Sequence, residues 1–342
     1  MAAALVAAPQ NPAPTDQRPV YGSGVDLVVV SATVTDAAGH FVRGLRQDEF
    51  DVLEDGRSQP ISAFTSERVP VSLGIALDLS NSMKGQKLKQ AREALDHLLA
   101  DLLDPADEIF LYCFSDEPVL LRGWTSRRDL LRRALDSMAA GGLTALYDTV
   151  AQAVTFAQTG KHRKKALIII SDGNDTASHT SVAMLKRQIQ ESEVLVYAIG
   201  IDATRSSGDG GAPPQFPPSQ PPPVPLPGQG GWPPRRPAPF PPAPPRAPIP
   251  GPHQVEGPVD AQALRSLTDD SGGRTEIIRS AGDLDPASAG IADELSRQYF
   301  LGYQAAQRDG RWHTIDVVVR GGEFKVRARR GYVAQNPPKE SR

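Results

Sequence analysis

Between Val71 and Gly200 the chain alternates short, almost wholly apolar runs with longer amphipathic ones, and no other feature restricts the fold as much. A run such as Val71-Ser72-Leu73-Gly74-Ile75-Ala76-Leu77 offers no polar face, so as a strand it has to be covered on both sides. Glu108 to Phe114, Ala166 to Ile170 and Val194 to Ile199 read in the same way. Between them Leu88, Ala91, Leu95, Leu98, Leu99 and Leu102 recur at helical spacing, as do Leu130, Leu131, Ala134, Leu135 and Met138. Buried strands alternating with helices predict an α/β fold with a doubly wound, mostly parallel sheet.

Of the 32 prolines, 21 fall between Pro213 and Pro258, so that stretch can form neither a helix nor a central strand. Residues 205–258 are expected to be a disordered, proline-rich insertion. Pro-x-x-Pro spacing is unavoidable in proline this dense, which favours a spacer over a docking motif. The tract follows Ile199-Gly200-Ile201-Asp202, at a carboxyl strand end, and at polyproline rise it would span on the order of 150 Å. Beyond it, Asp260 to Leu267 reads as a helix, Arg274 to Ile278 as a strand and Asp285 to Arg297 as a last helix. The insertion therefore interrupts one α/β domain, residues 69–298.

Both ends read differently. Leu27 to Thr35 and Phe50 to Glu54 are expected strands, the second closed by the hairpin pair Asp55-Gly56. Tyr299 to Tyr303, His313 to Val319 and Phe324 to Ala328 are strands joined by Asp309-Gly310 and Gly321-Gly322. Neither set alone can bury a core. Residues 23–68 and 299–334 are thus expected to build one small composite β-sandwich into which the α/β domain is inserted, with a leader at 1–22 and a tail at 335–342. Val6-Ala7-Ala8 before Pro9 has the small-residue character of a cleavage site. The leader fits either a signal remnant, which implies an extracytoplasmic (periplasmic or secreted) protein, or a disordered Ala/Pro segment.

Composition excludes several functions. Lys and Arg total 37 against 40 Asp and Glu, with no dense basic run carrying aromatics, so a nucleic-acid partner is not expected. No window approaches the roughly 18 apolar residues of a transmembrane span, and a soluble protein is expected. The single cysteine, Cys113, excludes an intramolecular disulfide and any cysteine-based zinc or iron site. It sits in Ile109-Phe110-Leu111-Tyr112-Cys113-Phe114, where it reads as a small buried hydrophobe. The six histidines are scattered without ligand or triad spacing.

The chemistry gathers in three segments at expected strand or helix ends: Asp78-Leu79-Ser80-Asn81-Ser82-Met83, Gly141-Gly142-Leu143-Thr144-Ala145-Leu146-Tyr147-Asp148, and Ser171-Asp172-Gly173-Asn174-Asp175. In open α/β sheets the crevice beyond the carboxyl ends of the strands binds ligands. Two carboxylates and three hydroxyls meeting there form an oxygen-only set, suited to a hard divalent cation, Mg²⁺ foremost and Mn²⁺ or Ca²⁺ as alternatives. Asp78, Ser80, Ser82, Thr144 and Asp172 are the candidate metal residues. Asp148 reads as a helix residue satisfying loop donors, and Asp175 as a turn former.

Asp78-x-Ser80-x-Ser82, then Thr144, then Asp172-Gly173 resembles the metal-ion-dependent adhesion site of von Willebrand factor type A domains. The resemblance implies that Ser80, Ser82 and Thr144 touch the ion while Asp78 and Asp172 act directly or through water. It also implies a protein partner whose Glu or Asp carboxylate fills the vacant position, and no enzymatic activity. Flanking segments, among them Glu54-Asp55-Gly56, Gln298 to Tyr303 and Val326 to Tyr332, resemble an acidobacterial-type subfamily of von Willebrand factor A-related proteins, over most of residues 25 to 333. Asn81 stands where many relatives carry Gly.

Two rival readings remain. A phosphoryl-transfer hydrolase using Asp78 as nucleophile would want a second carboxylate at position 80, which is Ser80. A metal-free structural scaffold would keep the fold without the ion.

Overall fold

A computed structural model describes residues 27–102, 104–136, 138–202, 259–280 and 283–334. The expected leader, the proline-rich insertion and the C-terminal tail lie outside the described residues. The described residues divide into two compact units, one formed by those up to Glu67 together with those from Gln298 onward, and the other by those between Arg68 and Arg297. Among the described residues no helix is long and apolar enough to cross a membrane.

The first unit opens with β1 (Leu27–Thr35), β2 (Phe50–Glu54), β3 (Arg57–Gln59) and β4 (Ile61–Thr65). The second contributes β5 (Val71–Asp78), α1 (Gln86–His97), β6 (Glu108–Phe114), β7 (Pro118–Thr125), α2 (Arg128–Asp136), α3 (Leu146–Ala157), β8 (Lys164–Ser171), α4 (Val182–Glu191), β9 (Val194–Ile201), α5 (Ala261–Thr268), β10 (Thr275–Ile278) and α6 (Leu284–Arg297). The chain then returns to the first unit as β11 (Tyr299–Gln304), β12 (Trp312–Val319), β13 (Lys325–Arg327) and β14 (Gly331–Val333).

The second unit is built on a six-stranded sheet of order β10-β9-β8-β5-β6-β7. Every pairing is parallel except β6 with β7, which is antiparallel at the edge. Side chains of a strand alternate between its faces, and each apolar run here feeds two cores. Leu73, Ile75 and Leu77 of β5, with Ile168 and Ile170 of β8, meet Leu88, Ala91 and Leu95 of α1 and Ile291 and Leu295 of α6. On the other face Ala76, Phe110, Leu167 and Ile169 meet Val150 and Val154 of α3, Leu185 and Ile189 of α4, and Leu264 of α5. This is the doubly wound sheet that the apolar runs predict. Past α1 the helical path widens into a π-type turn, Leu98–Leu102. The edge strand β7 was not anticipated: it starts at Pro118, and Val119 and Leu120 are exposed, so it lacks the apolar continuity of a central strand.

The first unit consists of two four-stranded sheets, β13-β1-β11-β4 and β14-β12-β2-β3. Val30 and Leu301 of one share a core with Val52 and Ile315 of the other, and the Phe50 and Tyr299 rings lie 4.9 Å apart. N- and C-terminal strands interleave in both sheets, so neither end is complete without the other. The pair Asp55-Gly56 closes β2 onto β3, with Glu54 opposite Arg57. Beside this hairpin, buried His313 faces Asp55 through Nδ1 at 2.7 Å and Asp309 through Nε2 at 3.1 Å. Glu54, which accepts from the Tyr332 hydroxyl, lies 3.8 Å from the same Nδ1.

Candidate metal centre

β5 is flanked by β6 on one side and β8 on the other, so the chain reverses its direction of winding at β5. Crevices form where strand order reverses in this way. Leu77 is in register with Ile170, which brings the next residues, Asp78 and Ser171, side by side at the carboxyl ends. The Ser171 hydroxyl donates to Asp78 Oδ2 at 2.6 Å and accepts from the Gly173 N–H at 3.0 Å. The Ser80 N–H donates to Asp78 Oδ1 at 2.8 Å, which turns the loop after β5 back over the strand end. Asp78, Ser171 and Asp172 are wholly buried. Burial pushes the Asp78 carboxyl up to about 6, against the lowering donors Ser171 and Ser80 and with a small further rise from the Asp172 charge.

The three predicted segments are tied together by their backbones. Asn81 N–H donates to Gly142 O at 3.0 Å and Gly141 N–H to Leu79 O at 2.7 Å, joining the first loop to the second. Thr176 and Ala177 donate their N–H groups to Thr144 O at 2.9 and 3.0 Å, while Thr144 N–H donates to the Thr176 hydroxyl at 2.9 Å, joining the second to the third. Two glycines let the loops approach. Gly142 has φ 83°, and a Cβ there would strike the Asp116 carboxylate, which accepts from Leu143 N–H. Gly173 has φ 81°, and its Cβ would stand 2.6 Å from Asp260 O. Neither position tolerates an ordinary side chain.

Within this frame Ser80 and Ser82 place their hydroxyl oxygens 2.9 Å apart, close enough to serve one small ion together. Ser80 and Thr144 are buried and Ser82 is half-buried. Asp78 and Asp172 supply two buried carboxylates at the ends of adjacent strands. The donor set is hard oxygen throughout, which fits a divalent cation of the Mg²⁺ or Ca²⁺ kind.

Asp148 accepts the N–H groups of His179 and Thr180 at 2.9 and 2.7 Å. Burial pulls its carboxyl up, but these donors outweigh it and hold it at about 2. Asp175 accepts from Ser178 Oγ at 2.6 Å and from Tyr147 N–H at 3.3 Å. Both aspartates thus brace the loops. Sequence reasoning missed Lys87, whose ammonium lies 2.9 Å from Asp172 Oδ2, and Ser171, Asp116 and Thr176, which hold the loops. Only Lys87 left a signal: a lysine in the first turn of a helix opposes the helix dipole.

Residues 73–174 match the family model of the von Willebrand factor type A domain. With the doubly wound sheet around it, this part of the chain is similar to such a domain. The inter-alpha-trypsin inhibitor heavy chain H4 of Bos taurus is 27% identical over 135 residues, or 36% of this chain and 15% of that protein. Its Homo sapiens counterpart is 26% identical over 143 residues, 38% and 15% of the two chains. The chain therefore spans about 15% of the length of these curated relatives. Among solved structures, a conserved hypothetical protein BatB from Bacteroides thetaiotaomicron is similar at 19% identity, covering 66% of this chain and 97% of that one, with a TM-score of 0.45. A von Willebrand factor type A protein from Catenulispora acidiphila is similar at 14% identity over 93% and 76% of the two chains, with a TM-score of 0.46. The proximal thread matrix protein 1 of the mussel byssus with a zinc-occupied MIDAS motif is similar at 12% identity over 72% and 50%, with a TM-score of 0.47.

Proposed function

We propose that the chain is a non-enzymatic, metal-ion-dependent protein-binding module. Domains of this family often mediate protein interactions, sometimes through a metal site. Ser80, Ser82 and Thr144 would hold the ion with Asp78 and Asp172 supplying charge, and Mg²⁺ is the expected ion. A bound cation supplies an open coordination position that a Glu or Asp carboxylate of the partner fills. The rest is done by the chain: Asp78 fixes the Ser80 loop, and Thr176 fixes the Thr144 loop. Leu143, exposed beside Thr144, gives the partner an apolar contact at the rim.

The observation that carries this reading is the Ser80–Ser82 hydroxyl pair, 2.9 Å apart, on the loop that buried Asp78 holds through the Ser80 N–H. Calorimetric titration of wild type with Mg²⁺ and Mn²⁺ should give saturable heat, and Asp78→Ala should give none. A pull-down with and without EDTA should show a partner that elutes with the chelator. Equal heats from wild type and Asp78→Ala would favour the metal-free scaffold instead, a reading that draws on the Lys87–Asp172 pair, since there the protein already neutralises one of its carboxylates.

A further inference from the structure

Lys87 sits where elementary rules disfavour it. It occupies the first turn of α1, at the positive end of the helix dipole. It is also buried, although lysine is among the side chains least often buried. What holds it is Asp172: Lys87 Nζ donates to Oδ2 at 2.9 Å, and the two side chains are 7% and 0% exposed. The other oxygen of Asp172 accepts the Asn174 N–H at 3.3 Å. Asp78 is equally enclosed, with its oxygens taken by Ser80 N–H and Ser171 Oγ. Of the two buried carboxylates, Asp172 is thus paired with a buried ammonium and Asp78 is held by neutral donors.

We propose that Lys87 is an internal cation of the metal centre, which neutralises Asp172 while no divalent ion is bound and opposes the ion when it arrives. The inference rests on the metal-binding reading above. An uncompensated buried charge is strongly destabilising, so the ion pair keeps the metal-free domain intact. The same ammonium reduces the charge that an incoming cation meets from two negatives to one. A unit charge a few ångströms from a divalent ion, in the moderate effective dielectric of a protein, changes its affinity by at least about tenfold. Lys87 therefore sets the affinity of the site low while protecting the fold without metal.

The test compares the full chain with Lys87→Met and with Lys87→Gln, which keeps a hydrogen-bond donor toward Asp172 without the charge. Mg²⁺ alone is the probe, read by calorimetry and by melting temperature in EDTA and in saturating Mg²⁺. The neutral variants should melt below wild type in EDTA, gain more from Mg²⁺, and bind it at least about tenfold more tightly. Mg²⁺ taken up by the variants but not measurably by wild type would support the inference equally, with Lys87 and not a lost site then accounting for equal heats from wild type and Asp78→Ala. Wild type and variants binding Mg²⁺ alike would overturn it and leave the metal reading standing. Loss of binding in the variants would also overturn it, since Lys87 would then be needed to position Asp172. Binding by neither wild type nor variants would bring down the metal reading itself and the inference with it. Where Lys87→Met does not fold, Lys87→Gln supplies the same comparison.

Discussion

Ser171 is outside the proposed ligand set, yet its hydroxyl is the joint between the two carboxylate-bearing strands. It donates to Asp78 Oδ2 and accepts from Gly173 N–H, and it is fully buried. Ser171→Ala removes both bonds without leaving space for water. A hydrogen bond to a charged group contributes about 1.5–3 kcal/mol, and a buried N–H left unpaired costs about 1–3 kcal/mol. Neighbouring bonds are not additive, and a loss of about 3 kcal/mol is expected. That is a large share of the roughly 5–15 kcal/mol that holds a typical domain folded. Urea unfolding in EDTA, followed by the helical circular-dichroism signal, measures it directly, because α1 to α6 all lie in the α/β unit. A loss below about 1 kcal/mol would refute the reasoning, since Asp78 would then have found another donor at no cost.

Gly173→Ala should cost about 1–3 kcal/mol in the same assay, because a side chain at φ 81° is strained and its Cβ meets Asp260 O; a neutral result would mean that the loop moves freely. Burial pushes the Cys113 thiol up to about 12, so alkylating reagents should leave it unmodified at neutral pH in the folded chain and modify it fully in urea. In the sandwich, burial lowers the His313 pKa, but Asp309 and Asp55 outweigh it and the net shift is upward. Hydrogen bonds, from Thr314 and His313 to Asp55 and from His313 and Arg311 to Asp309, hold both carboxyls below their ordinary range. Stability from His313 is full below its unfolded pKa and is lost as pH rises through the raised folded value. That from Asp55 and Asp309 is present above their unfolded values and lost as pH falls through the lowered ones. Melting of the sandwich strands, followed by amide exchange across β12, should therefore be highest between the two, and His313→Gln should remove the alkaline fall.

Central strands were legible because burial on both faces demands unbroken apolar runs, and the expected Glu108 to Phe114 coincides with β6. The sandwich was legible because Leu27 to Thr35 is too small to fold without partners, and β11 and β13 are those partners. β7 was not, since an edge strand with exposed Val119 and Leu120 carries little pattern. At the site, spacing at strand ends pointed to Asp78, Ser80, Ser82, Thr144 and Asp172, and the loops that carry them meet. Ser171 and Thr176 were invisible because a serine at a strand end or a threonine in a loop gives no sign of what it will bond. Lys87 was visible only as a violation of helix electrostatics, and its partner lies 85 positions further along the chain.

The Asp260 N–H donates to Asp172 O at 2.8 Å, and Asp260 caps α5 by accepting from Ala263 N–H. Asp202, the last described residue before the insertion, is held in turn by its N–H to Ile278 O at 2.8 Å. The residues bracketing positions 203–258 are thus each clamped to the sheet, and one clamp is the peptide group of a proposed metal residue. A pull on Asp260 along the chain therefore bears on the peptide group of Asp172, a residue of the proposed metal centre.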